Sequence, residues 1–259
     1  MMNLFELSRP TYLENWSPEL ARFSIPQIGL RLSEDELSAM EKAASSPVGW
    51  NEFSTSTAFK GLHSRFAEIF TEFPTGGFVR LGSRSPKDSI LVAKNSLRVK
   101  DAHLALQMLV SSARIRQDLS LASQNDYLPY IFVRRWIEIE PWAEFRCFVK
   151  NRQMVGISQY VGHNTPAYKE INENAARFFF VLRERLSTLI DYSHLDYAVF
   201  DIVLQNDCDK FTACLLELNP FCLRTDACLF DWRKADDFDG SFRYLKINER
   251  QEKLTAKIS

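Results

Sequence analysis

Tyr197-Ala198-Val199-Phe200-Asp201-Ile202-Val203-Leu204 is followed by a short polar connection and then by Phe211-Thr212-Ala213-Cys214-Leu215-Leu216-Glu217-Leu218-Asn219. Both runs are apolar and rich in strand-forming residues, so they read as two strands of a hairpin. Side chains alternate faces along a strand, which puts Glu217 and Asn219 on one side. If Asp207 to Phe211 form the loop, Asp201 lies directly opposite Glu217, and such pairs approach within about 5 Å at Cβ. Two carboxylates that close repel unless a proton or a cation sits between them. Their neighbours, Phe200, Ile202, Leu216, Leu218 and Phe221, are apolar. A hard cation such as Mg²⁺, which takes one or two carboxylates and fills its other positions with water and phosphate oxygens, resolves the conflict. An edge hairpin with solvated acids reads the same residues equally well, and the spacing leaves both open.

Outward from the hairpin, the patterns alternate between helix and strand. A long helix is expected from about Ala167 to Asp191, with Ile171, Ala175, Phe178, Leu182, Leu186 and Leu189 as its apolar stripe and Phe178-Phe179-Phe180 as core packing. Before it, Glu144–Lys150 and Met154–Tyr160 form a hairpin around Asn151-Arg152-Gln153, and Tyr130–Trp136 reads as another strand. Ser33 and Glu36 make a capping box. A helix from about Ser56 buries Phe59, Leu62, Phe66, Ile69 and Phe73. One further helix starts near Asp101, with Leu104, Met108, Ser112, Ile115 and Leu119 on one face. Between them, Phe78-Val79-Arg80-Leu81 reads as a strand entering the polar loop Gly82 to Ser89. Residues 1–32 read as irregular, packed chain. This order argues an α+β fold with antiparallel sheets partly covered by helices. It divides the chain into an N-terminal lobe over 1–129, which carries the phosphate-binding strand and loop, a C-terminal lobe over 130–245 with the metal site, and a polar tail over 246–259, frayed or loosely helical.

The 259 residues suffice for two small lobes with real cores, and a net charge of -1 argues against general nucleic-acid binding. No apolar run approaches the roughly 20 residues that span a bilayer, and Met1–Pro10 lacks a signal-peptide core, so a cytoplasmic protein is expected. Cys147, Cys208, Cys214, Cys222 and Cys228 include no Cys-x-x-Cys pair and read as buried free thiols rather than zinc ligands. His63, His103, His163 and His194 are scattered and read as structural or exposed.

A metal held by so few protein groups suggests a phosphate-bearing partner, and the chain offers matching cations. Arg80 precedes the Gly82–Ser89 loop, Arg134 and Arg135 lie near the end of the next strand, and Arg146 lies on the one after. A guanidinium can fork two hydrogen bonds to a phosphate. Gly82, Ser83 and Ser85 can donate backbone and hydroxyl hydrogen bonds. Taken singly, each arginine reads as well as a surface or ion-pair residue. Trp136-Ile137-Glu138-Ile139-Glu140-Pro141 can supply apolar walls to a base or simply end a strand at Pro141.

In that order, Phe78-Val79-Arg80-Leu81-Gly82-Ser83-Arg84-Ser85-Pro86-Lys87-Asp88-Ser89, Val133-Arg134-Arg135-Trp136, Glu144-Phe145-Arg146-Cys147-Phe148-Val149, Phe200-Asp201-Ile202, Leu216-Glu217-Leu218-Asn219-Pro220-Phe221 and Thr225-Asp226-Ala227-Cys228-Leu229-Phe230 resemble the blocks of the cell division cycle protein 123 family. The resemblance runs from about Trp16 to Trp232. It implies a divergent ATP-grasp fold whose two lobes clasp ATP. By position, it implies ATP contacts at Arg80, Gly82, Ser83, Ser85, Arg134, Arg135, Trp136, Ile137 and Arg146, and magnesium held by Asp201, Glu217 and Asn219. Arg80 and Arg135 stand where eukaryotic members often carry lysine, Glu217 where aspartate is frequent, and Gly82-Ser83 replaces an Asn-Trp pair. With the short length, these departures suggest a bacterial-type relative. Two activities follow from the resemblance. One is an ADP-forming, ligase-like enzyme joining a carboxylate to an amine on a peptide or protein, with Arg80, Arg135 and Arg146 as catalytic cations. The other is a non-catalytic, ATP-dependent assembly chaperone that binds the gamma subunit of translation initiation factor 2.

Overall fold

The computed structural model describes residues 3–46, 48–207, 210–234, 236–247 and 253–258. In chain order the elements are α1 (Leu4–Ser8), α2 (Pro18–Ala21), β1 (Gln27–Arg31), α3 (Glu34–Ala44), α4 (Gly49–Thr55), α5 (Thr57–Thr71), β2 (Gly77–Leu81), α6 (Ile90–Asn95), β3 (Arg98–Val99), α7 (Ala102–Val110) and α8 (Ala113–Ser123). They continue with β4 (Tyr130–Arg135), β5 (Glu144–Lys150), β6 (Gln153–Gln159), α9 (Lys169–Ser193), β7 (Tyr197–Asp207), β8 (Lys210–Asn219), β9 (Phe242–Ile247) and β10 (Lys253–Ile258). The chain forms two compact units, Met1–Arg9 with Pro26–Ile137, and Pro10–Ile25 with Glu138–Ser259. The expected α+β class is the class observed. The expected break after residue 129 is not: β4 pairs with both β1 and β2, so backbone hydrogen bonds keep it in the first unit. The irregular chain expected before Leu32 also contains a paired strand, β1.

The first unit is an antiparallel sheet in the order β1-β4-β2-β3. Val79 and Leu81 pair with Val133 and Ile131, and this face packs with Leu37, Met40, Leu62, Phe66, Leu106, Ile115 and Leu119 into one core. The Ser33–Glu36 capping box forms as its residues require. The single helix expected after Asp101 is instead two. Ser112 adopts extended backbone, its hydroxyl accepts from the Ile115 amide, and it starts α8 afresh. His63 and His103 pack against Phe59, and His103 also meets the Trp50 ring edge-on at 5.0 Å.

The second unit is a sheet in the order β10-β9-β6-β5-β7-β8. Its neighbours are antiparallel except β6 and β9, which run parallel, a departure from the purely antiparallel expectation. One face carries α9: Phe178 is fully buried, 4.8 Å from the Phe211 ring and 5.9 Å from Phe145. Phe179 stacks on Phe242, but Phe180 is 65% exposed, because three consecutive helical positions cannot all face one sheet. The opposite face carries an aromatic cluster of Phe148, Phe221, Phe230, Trp232 and Phe238. Gly156 makes room for it, since a Cβ there would sit 2.5 Å from the Phe230 ring. The β5–β6 turn is tighter than expected. Lys150 pairs with Gln153, and Asn151 and Arg152 both take positive φ, 52° and 57°, as a two-residue turn of this hand demands.

The polar tail expected over 246–259 contains ordered strand. Residues 253–258 pair antiparallel with β9, so backbone bonding organises a sequence whose side chains give little amphipathic signal. Residues 248–252 and 259 lie outside the described residues, as does Cys208.

Candidate functional site

The β7–β8 hairpin closes by a different route from the one expected. Asp207 pairs with Lys210 across a two-residue connection, not a five-residue loop. Carried on without interruption, that register would set Asp201 against Leu216 and turn Glu217 toward α9. The ladder instead shifts by one residue between Asp201 and Ile202, so that Ile202 pairs with Leu215 and Asp201 with Glu217. Leu216 is the extra residue of a β-bulge. A one-residue slip exchanges the faces of a strand. Phe211, Leu215 and Leu218 can therefore face the core while Glu217 and Asn219 face the other way. The predicted pairing holds, and the bulge is its cause.

On that face Asp201 is bracketed by β5 and β8. Arg146 lies directly across from it, and its Nε and Nη2 donate to Oδ1 and Oδ2 of Asp201, each at 2.7 Å. Asn219 Nδ2 donates to Asp201 Oδ2 at 3.0 Å and to Glu217 Oε1 at 3.4 Å. Asp201 is 1% exposed and Arg146 5%, whereas Glu217 and Asn219 are half-buried. The third guanidinium nitrogen, Nη1, donates to the Asp226 carbonyl at 2.9 Å, and the group lies 4.8 Å from the Tyr160 ring centroid. Burial pushes the Asp201 carboxyl up, Arg146 draws it down, and the like charge of Glu217 pushes it up again, with the balance above the ordinary value. Burial likewise takes the Tyr160 hydroxyl to about 12 and the Cys228 thiol to about 11. Burial also raises the Cys147 thiol, which is fully buried, well above its ordinary value. These thiols are protonated at neutral pH, in keeping with inert packing.

The donor chemistry fits a hard divalent cation. Two carboxyl groups and an amide meet at one spot, with Glu217 and Asn219 on its accessible side and an unfavourable acid–acid contact for a cation to relieve. Among the described residues no cluster of three His, Cys, Asp or Glu side chains occurs; the convergent set has two acids and an amide. Both Asp201 oxygens already accept from Arg146. The guanidinium is thus committed to Asp201 and Asp226, not presented outward as a phosphate or catalytic contact.

In the first unit, register sets Arg80 against Phe132 and Phe78 against Arg134, so Arg80 and Arg134 share the sheet face turned away from the helical core. Each is 2% exposed, and Arg80 Nε donates to the Leu81 carbonyl at 3.0 Å. Arg135 pairs with Gly77 on the opposite face and is exposed. The proposed trio of catalytic cations is therefore not one cluster: Arg80 and Arg135 occupy opposite faces of one sheet, because neighbouring strand residues alternate. Trp136 and Ile137 follow β4, both half-buried. The loop after β2 is pinned. The Gly82 amide donates to the Tyr130 carbonyl at 2.9 Å, and Ser83 donates to Asp118 at 2.6 Å. Ser85 is buried. Asp88 accepts from the Ser112 hydroxyl and from the Arg114 amide at 3.1 Å, which ties the loop to the start of α8. Sequence reasoning missed Asp88, Tyr160 and Asp226. Tyr160 follows from alternation, two residues beyond the Ser158 that faces Arg146. Asp226 acts through its carbonyl, and no side-chain pattern announces that.

The family model D123 matches residues 29–258 of the chain. The "Translation initiation factor eIF2 assembly protein" of Sclerotinia sclerotiorum is 30% identical over 207 residues, covering 71% of this chain and 48% of that protein. The protein of the same name from Xenopus tropicalis is 28% identical over 242 residues, covering 88% and 65%. The chain spans about half the length of the first of these relatives. The structure of Cdc123 from Schizosaccharomyces pombe aligns with a TM-score of 0.73 at 20% identity, covering 90% of this chain and 92% of that one, and so shares its fold. These relatives come from fungi and an amphibian, and they lend no support to a bacterial-type assignment. Among the described residues no helix is long and apolar enough to cross a membrane.

Proposed function

The chain belongs to the D123 family, and from that membership we propose that it is an ATP- and Mg²⁺-binding assembly factor whose client is translation initiation factor eIF2. The observation that carries the nucleotide part is the meeting of Asp201, Glu217 and Asn219 over a buried arginine. The client is drawn from the names of the eukaryotic relatives. Those names favour the assembly reading over the ligase-like one.

Magnesium, when bound, would supply positive charge shared with phosphate oxygens. Glu217 and Asn219 offer its accessible oxygen donors, with Asp201 beneath them. Arg146 acts as a positioning residue: it holds Asp201 in a fixed orientation, and its charge opposes the upward pull of burial and Glu217 on that carboxyl. In the first unit, Arg80 and Arg134 are the cations for phosphate, with Gly82, Ser83 and Ser85 in the adjoining loop. Arg135, on the other face, contributes less than the resemblance implies. Trp136 and Ile137 offer apolar surface to the base.

Calorimetry of ATP binding with and without Mg²⁺ tests the nucleotide reading. Glu217→Gln and Asn219→Ala are expected to weaken Mg·ATP about tenfold or more, while the Mg²⁺-free affinity holds. Unchanged Mg·ATP affinity in both variants would falsify the metal assignment. Capture of the eIF2 gamma subunit, expected to strengthen with Mg·ATP and to proceed without ADP release, tests the client. Stoichiometric ADP formation accompanied by a covalently altered client would instead establish the ligase.

A further inference from the structure

A cavity of about 470 Å³ opens on the helical side of the first unit, apart from the arginine-bearing sheet face. Ala43 and Ala44 at the end of α3, Trp50 of α4, Leu91 of α6 and Val110 of α7 give it an apolar wall. Ile90, 69% exposed, stands at its mouth. Among the described residues that line it, one is charged, Arg116, and none is acidic. Most of the lining hydroxyls are already engaged. Ser45 donates to the Glu41 carbonyl, Ser46 accepts from the Val48 amide, and Ser111 bonds Ser89. The Arg116 guanidinium and the Gln107 amide have no hydrogen-bond or ion-pair partner among the described residues. A cavity whose wall is part apolar and part polar, and whose lining includes one uncommitted cation and one uncommitted amide, is complementary to a molecule with an apolar body and an anionic end. Its volume lies within the range of small-ligand sites, about 300–1,000 Å³.

We propose that this cavity binds a free carboxylate attached to an apolar group, with the carboxylate on Arg116 and Gln107 and the apolar group against Trp50, Leu91 and Val110. A bidentate guanidinium–carboxylate pair gives the orientation, and burial of the apolar group gives the affinity. Two sources share this chemistry: a free organic acid, and the C-terminal residue of a protein chain.

The test titrates the full chain while following tryptophan emission, with Trp50→Phe to identify the Trp50 signal and the Gln107 side-chain amide followed in parallel by NMR. The probes are octanoate, N-acetyl-leucinate, a short peptide ending in a leucine carboxylate, and the amidated form of that peptide. Saturable binding of at least one acid is expected, weakened at least fivefold by Arg116→Ala and largely kept by Arg116→Lys. The amidated peptide should bind no better to the parent chain than to Arg116→Ala. Arg116 is exposed, so these variants leave the core intact. Octanoate binding without peptide binding assigns the site to free acids, and the reverse assigns it to chain termini. No saturable change up to about 10 mM, equal affinity for acid and amide, or indifference to Arg116→Ala would each overturn the proposal.

Discussion

Asp201 meets Arg146, Asn219 and Glu217 at one buried spot, and this decides how its variants behave. Removing the carboxylate strands Arg146, a buried cation left with the Asp226 carbonyl and the Tyr160 ring but no counter-charge in hydrogen-bond contact. Breaking one partner of a buried pair costs about 3–5 kcal/mol, much of it from the charge left behind. Asp201→Ala should therefore lose that much stability in urea unfolding, whereas Glu217→Gln, half-buried, should stay within about 1 kcal/mol. The double variant Arg146→Met/Asp201→Leu should recover most of the loss. Equal costs for Asp201→Ala and Glu217→Gln would show that the ion pair does not hold the site. Asp88 gives stability a pH dependence. Burial alone would raise its carboxyl, but hydrogen bonds from Ser112 and the Arg114 amide outweigh that and hold it below 3.8. A folded-state pKa below the unfolded one contributes stability at higher pH, and that contribution fades as pH falls through the folded value. Acid unfolding below about pH 4 should thus be less steep for Asp88→Asn than for the parent chain, at a cost of about 1 kcal/mol at neutral pH. A matching slope in the two proteins would rule out this role for Asp88.

At the scale of elements, the strongly periodic segments formed as their sequences require. The apolar stripe of α5 gave buried Phe59, Leu62 and Phe66, but in its last turn Phe70 is buried where the spacing predicts Ile69, and Phe73 is buried beyond the helix end, while that of α9 gave Ile171, Phe178, Leu182 and Leu186. Gly61 is the exception within α5. It has helical backbone, and a Cβ there meets nothing within 4 Å. Gly61→Ala should therefore raise stability by about 0.5–1 kcal/mol, because alanine loses less backbone entropy in a helix. A lower thermal midpoint would show that the exposed face of α5 is constrained in some other way. Boundaries were less legible. Ser112 fits the apolar face of one long helix by spacing, yet it is the cap of a second helix because Asp88, from the loop after β2, holds its hydroxyl. Neither the bulge at Leu216 nor β10 has a signature in its own side-chain pattern, since each is settled by backbone pairing with the preceding strand, β7 and β9 respectively.

For the molecule as a whole, the α+β class, the family and the sharing of one strand face by Glu217 and Asn219 were legible in the amino-acid sequence. These depend on alternation, helical spacing and local motif, all interactions between near neighbours. Tertiary structure alone decided three things. It set β4 in the first sheet rather than at the head of the second unit, through hydrogen bonds to β1 and β2. It set Arg80 on the face of Arg134 and not on that of Arg135, through the register of β2 against β4. It committed Arg146 to Asp201 and Asp226, a placement that requires β5, β7 and the chain near residue 226 to be assembled first. The physical reason is the same throughout: a side chain's type limits what it can bond, but which partner reaches it in the dry interior is set by contacts far apart along the chain.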